Sequence, residues 1–461
     1  MSKFDVIVIG GGPGGYVAAV RCTQLGLKTA VVEKDALGGT CVNWGCIPTK
    51  SLLRNAEVVH LLSQGRTYGF DLEGLSVDYA SAQKRSRQVS TRQGRRVQAL
   101  LKTSGVEVIP GEAVLAGPNR VQIKGSGEVL EADNIILATG SKPRRIPGLE
   151  PDGKRIITFR QALELTQAPA SVVVVGGGPI GLEFASVWNR YGAKITVVEM
   201  LPRIMPLEDP DVSEEVARQY KKAKMDLRVE AAVKKAELTD SGVAVTVAQG
   251  ESEEVIEAEI MLAAIGFVPN TGGMGLAEAG VSLSRIGCVE IDEQMRSSLP
   301  VVYAIGDITG KLGLAHTASA QGVIAAEAIA GKATHPLVYE NIPRCTFGAP
   351  ESASVGLTEA QAAERGFEPV SKMSPLAPNG KAVALNENAG FIKIIADSES
   401  GKVLGVHMVG PHVTEMIGGA AMALNLGATV EQLASTVFPH PTVSEAMMEG
   451  LHALAGHAIH I

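Results

Sequence analysis

The sequence predicts an α/β fold in which two Rossmann-like dinucleotide-binding domains precede a C-terminal α+β domain. Three observations predict it. A strand, a glycine-rich loop and a helix open the chain; the same unit recurs from residue 171 with unchanged spacing; and from about residue 344 alternating strand patterns replace the βα rhythm.

The first unit runs from an apolar, β-branched strand (Phe4 to Ile9) into Gly10-Gly11-Gly12-Pro13-Gly14-Gly15 and a helix beginning Tyr16-Val17-Ala18. A second strand, Thr29 to Val32, ends in Glu33. Glycines such as Gly10, Gly12 and Gly15 let the backbone approach a pyrophosphate at a helix N-terminus, and an acid at the tip of the second strand accepts from ribose hydroxyls. The second unit repeats this with Ser171 to Val175, Gly176-Gly177-Gly178-Pro179-Ile180-Gly181, and a strand from Ile195 ending in Glu199. The acid follows the first glycine by 23 residues in both units, so nothing has been inserted or deleted. Two such units imply two dinucleotides. Glu199, with Met200, Leu201 and Pro202 after it, suits a free 2′-hydroxyl and repels a 2′-phosphate, which favours NAD over NADP.

Between the units lies Gly39-Thr40-Cys41-Val42-Asn43-Trp44-Gly45-Cys46-Ile47-Pro48-Thr49-Lys50. Two cysteines five positions apart run into a helical stretch, and Pro48 suits a first helical position, which places Cys46 beside a helix N-terminus. There the helix dipole favours a thiolate, so the pair suits a small-loop disulfide cycling with an activated dithiol; two structural cysteines are the alternative. Further on, a strand from Glu131 to Leu137 ends in a small-residue turn, Ala138-Thr139-Gly140-Ser141, and Arg145 to Gly148 reads as linker. The apolar runs Ile260 to Gly266 and Val301 to Asp307 read as strands. Asp307 stands at a strand's C-terminal edge, where ligands bind in open α/β sheets, though a helix cap needs the same residue.

In the C-terminal part, strands at Phe391 to Ile395 and Val403 to Val409 precede a small-residue helix around Gly418 to Leu424. Near the end, prolines flank His440, and Glu445 is close enough in sequence to fold back onto its ring. An isolated histidine is more often structural than catalytic. His457 and His460 lack ligand spacing with a cysteine or acid partner and read as surface or interface residues; no metal site is expected.

Composition bounds the rest. The chain has 461 residues, 45% apolar and 20% charged, enough for about three domains of a globular protein. A net charge of −7 argues against a nucleic-acid or anionic-membrane surface. The run Val6 to Ile9 is too short for a signal peptide or a membrane span, and five cysteines in so long a chain do not make a secreted disulfide scaffold, so a cytoplasmic protein is expected.

Taken together, these motifs resemble those of the pyridine nucleotide–disulfide oxidoreductases over essentially the whole chain. The marks are both glycine loops, the Cys41 to Cys46 block, Ala138-Thr139-Gly140, Tyr303 to Asp307, Gly405 to His412, and His440-Pro441-Thr442-Val443-Ser444-Glu445. The branch most resembled oxidises dihydrolipoamide. The resemblance implies FAD in the first unit, with Gly10, Gly12, Gly15, Glu33, Lys50, Thr139, Gly140, Asp307 and Ala315 around it. It implies NAD in the second, with Gly176, Gly178, Gly181, Glu183, Glu199 and Gly266. Lys50 and Glu183 match a pair beside the flavin's reactive nitrogen. Cys46 would face the flavin, Cys41 would meet the substrate, and His440, oriented by Glu445, would be the acid/base serving the other subunit of a homodimer. Free dihydrolipoamide or lipoyl domains are the implied partners, within a 2-oxo acid dehydrogenase or glycine cleavage complex. The implied domains are 1–148 (FAD), 149–272 (NAD), 273–343 (completing the FAD site) and 344–461 (dimerisation). Three positions depart from the pattern: Phe267 stands where arginine is common, Phe438 where histidine is frequent, and Trp44 where a smaller apolar residue is usual. Within the family, a glutathione-reducing enzyme would favour NADP, and a mercury-reducing one needs a C-terminal cysteine pair absent from this chain. A mainly structural flavoprotein subunit is the alternative from another class, which would not need Cys41, Cys46 and His440 together.

Overall fold

In the computed structural model, which describes residues 3–460, the first glycine unit builds a parallel sheet. β1 (Lys3–Ile9) carries Val6, Ile7 and Val8, all fully buried, as a strand covered on both faces requires. α1 (Pro13–Gln24) has Pro13 at its first position, where a missing N–H costs nothing, and leads to β2 (Thr29–Glu33). α2 (Gly39–Trp44) and α3 (Cys46–Ser63) hold the two cysteines, and α4 (Tyr79–Thr103) packs along both. Then come β3 (Glu107–Pro110), β4 (Ala113–Gly117), β5 (Arg120–Ile123) and β6 (Val129–Leu137). The strands lie in the order β3-β2-β1-β6-β5-β4, with β1 parallel to both β2 and β6.

The chain leaves this sheet through β7 (Ser141–Pro143) and enters a second one with β8 (Ile156–Ile157) and α5 (Phe159–Ala162). The repeated unit is β9 (Ser171–Val175), α6 (Pro179–Arg190) and β10 (Lys194–Val198); α7 (Pro210–Lys222) and β11 (Asp226–Arg228) follow. An antiparallel meander, β12 (Ala231–Leu238), β13 (Val243–Gln249) and β14 (Ser252–Ala258), precedes β15 (Ile260–Ala263), which closes a parallel sheet of order β11-β10-β9-β15-β8. β16 (Phe267–Pro269) pairs with β7, so entry to and exit from the second sheet lie side by side. β17 (Val302–Ala304) then returns to the first sheet beside β6, and α8 (Ala315–Ile329) packs against α1.

Both apolar runs expected as seven-residue strands are shorter. β15 stops at Ala263 and β17 at Ala304, because the chain must turn at the sheet edge to form the ligand face. Gly306, with φ +74°, begins a single 3₁₀ turn, its N–H is taken by the buried Gln321 side chain at 2.6 Å, and Asp307 is thereby set on the rim.

The last sheet is antiparallel: β18 (Arg344–Thr346), β19 (Ser352–Gly356), β20 (Pro369–Pro375), β21 (Phe391–Asp397) and β22 (Val403–Val409), in the order β18-β19-β22-β21-β20. α9 (Glu359–Glu364), α10 (Gly380–Ala384), α11 (Val413–Asn425), α12 (Val430–Ala434) and α13 (Glu445–Leu454) surround it. An ion cluster centred on a buried lysine ties it to the second sheet's unit. Lys393 on β21, 5% exposed, reaches Asp209 at 3.2 Å, Asp211 at 2.6 Å and Glu359 at 2.8 Å, and Arg344 pairs with Glu208 at 3.0 Å. Burial alone would push the Lys393 ammonium pKa down; the three carboxylates outweigh it and hold it above its ordinary value.

Candidate active site

The two glycine loops are the same object built twice. Gly10 and Gly176 both have φ +108°, and a Cβ on either would strike a carbonyl oxygen of the neighbouring strand's exit, at Ala138 or Ala264. A Cβ on Gly15 or Gly181 would collide with the carbonyl of Gly10 or Gly176, so each helix passes within backbone distance of its own strand. Gly12 and Gly178, by contrast, face space: the nearest atom to a Cβ on Gly12 is 3.9 Å away and none lies within 4 Å of one on Gly178. Neither α1 nor α6 has a side-chain cap. An open cradle in front of uncapped helix N–H groups fits a pyrophosphate. The acids close each loop alike. Glu33 accepts from the N–H of Gly11 at 2.7 Å and of Asp35 at 2.8 Å; Glu199 accepts from the N–H of Gly177 at 2.7 Å and of Leu201 at 2.8 Å. Each carboxylate oxygen keeps a further lone pair for a ribose hydroxyl.

Near the rim of the first cradle, Ser141 donates to Asp307 at 2.6 Å. Gly140, with φ +67°, and Thr139 are clasped by Asn270, whose side chain donates to the Thr139 carbonyl at 2.9 Å while its backbone carbonyl accepts from the Thr139 hydroxyl at 3.0 Å. Ala315 opens α8, and Gly266, φ +88°, turns the chain into β16.

Cys41 and Cys46 form a disulfide, with Cα atoms 4.6 Å apart. α3 starts at Cys46 itself with Gly45 outside it, so Pro48 occupies the third helical position rather than the first; its missing N–H still falls in the unpaired first turn. Cys46 therefore sits at the positive end of an 18-residue helix. α4 holds the segment from behind: Ser90 donates to the Val42 carbonyl at 2.7 Å, Arg87 to that of Asn43 at 2.6 Å and Ser86 to that of Pro48 at 2.9 Å. With both flanks fixed, the disulfide can open without the backbone unravelling. Two of the other cysteines are different in kind: burial pushes the Cys22 thiol up to about 12 and the Cys345 thiol up to about 11, so both stay protonated.

The structure joins Lys50 and Glu183, 133 residues apart: the ammonium lies 2.9 Å from both carboxylate oxygens, and Glu183 is 4% exposed and also accepts from the Phe347 N–H at 3.1 Å. The Lys50 ammonium lies 4.4 Å from the centre of the Phe347 ring. The departures have partners too. The Arg160 guanidinium stacks on Trp44 at 4.2 Å and lies 3.7 Å from Asp35, Phe267 packs on Phe159 at 5.7 Å, and Phe438 lines an apolar cavity of about 310 Å³ under α11 and α13.

His440 Nδ1 lies 2.8 Å from Glu445 Oε1, and Glu445 Oε2 accepts from the Thr442 N–H at 2.8 Å. Burial pushes the Glu445 carboxyl up, but the Thr442 and His440 hydrogen bonds outweigh it and hold the group below its usual range. An ionised carboxylate only accepts, so Nδ1 carries the hydrogen and Nε2 keeps its lone pair free. The His440 side chain is 81% exposed. His460, read as a surface or interface residue, is 71% exposed at its side chain; it also donates from Nδ1 to Glu449 at 2.7 Å, because the chain folds back over α13 after Gly456 and brings the tail to a buried carboxylate one helical turn from Glu445.

Residues 4–322 match the family described as pyridine nucleotide-disulphide oxidoreductase, and residues 342–451 match its dimerisation domain. The chain belongs to the pyridine nucleotide–disulphide oxidoreductases. Among its relatives are the dihydrolipoyl dehydrogenases of Chlorobaculum tepidum, 46% identical over 97% of this chain and 96% of that one, and of Bacillus subtilis, 40% identical over the whole chain. Among solved structures, LpdA of Mycobacterium tuberculosis superposes with a TM-score of 0.91 at 30% identity, covering 98% of this chain and all of that one. The flavoprotein disulfide reductase RclA of Escherichia coli gives 0.87 at 25% identity, over 98% of this chain and all of that one. As a member of this family the enzyme uses FAD and a pyridine nucleotide, NAD, and it dimerises through its C-terminal domain. No helix among the described residues is long and apolar enough to cross a membrane.

Proposed function

We propose that this chain is a cytoplasmic, homodimeric enzyme that oxidises dihydrolipoamide, free or carried on lipoyl domains, to lipoamide and reduces NAD to NADH. It would serve a 2-oxo acid dehydrogenase or glycine cleavage complex. The observation that carries the reading is the Cys41–Cys46 disulfide at the N-terminus of α3, in a chain that builds two dinucleotide cradles. Residues 1–148 with 273–343 hold FAD, 149–272 hold NAD, and 344–461 form the dimer.

Glu445 fixes the His440 tautomer so that Nε2 of one protomer faces the disulfide of the other. Nε2 takes a proton from one substrate thiol, and the resulting thiolate attacks Cys41 Sγ and displaces Cys46 as a thiolate. The helix N-terminus stabilises that thiolate. Loss of the second thiol proton lets the substrate's other sulfur attack its own mixed-disulfide sulfur, closing the lipoamide ring and releasing Cys41. Two electrons pass to the cysteine pair; of the two thiol protons, one leaves to solvent through His440 and the other supplies the hydrogen that NAD gains. Bound FAD supplies the two-electron relay from this dithiol to NAD. Glu33 and Asp307 would hold its adenosine ribose and ribityl chain, and Lys50, paired with Glu183 at 2.9 Å, would lie beside it. Glu199 discriminates against a 2′-phosphate.

The test is NAD reduction by dihydrolipoamide with the purified yellow protein, beside glutathione disulfide with NADPH. Rapid NADH formation that is abolished in Cys46→Ser is expected. Turnover of glutathione disulfide alone would move the enzyme to that sister branch, and turnover of neither would reject a lipoamide substrate.

A further inference from the structure

α4 carries Lys84, Arg85, Arg87, Arg92, Arg95, Arg96 and Lys102 and no acidic residue within its 25 positions. The whole chain has a net charge of −7, so the remainder carries twice that negative charge. At 100° per residue, Lys84, Arg85, Arg92, Arg95, Arg96 and Lys102 fall within an arc of about 120°. The buried residues Ser86, Ser90, Val97 and Leu101 occupy the opposite side. All six cations are exposed, and they take part in none of the salt bridges among the described residues. The arrangement opposes helix stability. Arg92 repels Arg95 and Arg96 at the i+3 and i+4 positions, and of the six only Lys102, in the last turn, complements the helix dipole. Apart from Arg85, which donates to Ser51 of α3 at 2.9 Å, helix formation and core packing therefore do not account for the face.

We propose that the basic face of α4 docks an acidic protein domain that carries the dithiol substrate; this rests on the function proposed above. Three observations choose that occupant. The buried side of the same helix grips the disulfide segment through Ser86, Arg87 and Ser90, so a domain seated on α4 lies about one helix diameter from the redox segment. A helix of this length presents about 37 Å of surface, the span of a small domain. A long polyanion would run beyond it onto a molecule whose remainder is net negative. An uncharged dithiol amide gains nothing from such a face, whereas an acidic carrier is steered to it, with the strong salt dependence of charge-driven encounter.

The experiment measures kcat/KM of the FAD-loaded homodimer for free dihydrolipoamide and for a reduced acidic lipoyl domain, from 20 to 500 mM KCl, in the wild type and in Arg92→Glu/Arg95→Glu/Arg96→Glu. Expected is a fall of about tenfold or more for the domain, both in the triple variant and in wild type at high salt, with free dihydrolipoamide within about twofold throughout. A Lys84→Gln/Lys102→Gln variant, which adds no new charge, should give a smaller loss in the same direction. An equal response of both substrates, or no loss with the domain, overturns the proposal. So does a nucleic-acid 20-mer whose binding the triple variant abolishes while domain turnover stays intact. Silence of wild type toward free dihydrolipoamide as well refutes the underlying function, and is distinguished by that arm alone.

Discussion

Replacing Glu445 with glutamine should remove most dithiol turnover while leaving the fold intact. The carboxylate spans a tight turn, one oxygen 2.8 Å from His440 Nδ1 and the other 2.8 Å from the Thr442 N–H. Both neighbours are donors, and a glutamine side chain has one acceptor oxygen. If that oxygen keeps His440, the amide NH₂ confronts the Thr442 N–H; if it keeps Thr442, the NH₂ faces Nδ1 and drives the imidazole to the tautomer with hydrogen on Nε2, which is no base. Either way a hydrogen bond to a charged acceptor is lost, a cost of about 1.5–3 kcal/mol, or roughly 10- to 150-fold in rate. The assay is kcat/KM for dihydrolipoamide with NAD, beside NADH-driven ferricyanide reduction, which bypasses thiols and histidine. A loss in the first within that range and an unchanged second are expected. A fall of less than about threefold, or an equal fall in both, would refute the dyad.

Gly15→Ala should abolish flavin retention, read from the visible spectrum, whereas Gly181→Ala should keep the flavin and raise KM for NAD, because each Cβ strikes its own strand's carbonyl. Mixing Cys41→Ser with His440→Ala subunits should restore about a quarter of wild-type turnover, since half the dimers are mixed and each has one intact shared site; no recovery would place the histidine and the disulfide in the same chain. Lys393→Met strands Asp209, 1% exposed, without its cation, and should lower stability by about 3–5 kcal/mol in urea unfolding. For Glu449, burial pushes the carboxyl up but the His460 and Ile459 hydrogen bonds hold it below the usual range, so tail docking persists above about pH 4.3 and is lost as pH falls through the lowered value. Exchange protection of the Ile459 and His460 amides at pH 6 and 3 checks the sign.

What the sequence displayed was local. A loop that must pass within backbone distance of a strand is written as glycine, which is why Gly10, Gly15, Gly176 and Gly181 were legible twice over. Cys41 and Cys46 share one helix entry, and His440 and Glu445 lie five residues apart across a proline turn, so spacing alone brought each pair together. Lys50 and Glu183 meet across 133 residues and have no local signal; only the family resemblance pointed to them. The grip of Ser86, Arg87 and Ser90 was invisible, because polar residues on a polar helix look like solvated surface until the helix is packed. The His460 contact with Glu449 was hidden for a related reason: it is made by the chain reversing after α13, which no periodicity records.

The central claim is that the electrons of a dithiol substrate enter at Cys41 and Cys46. It is tested most directly by anaerobic reduction with one equivalent of dihydrolipoamide, without NAD, followed by alkylation and peptide mass spectrometry. The expected result is new alkylation at Cys41 and Cys46 that is absent from the oxidised enzyme and prevented when NAD is added before the reagent. Lipoamide formation with that pair still disulfide-bonded, or labelling confined to Cys22, Cys288 or Cys345, would contradict it.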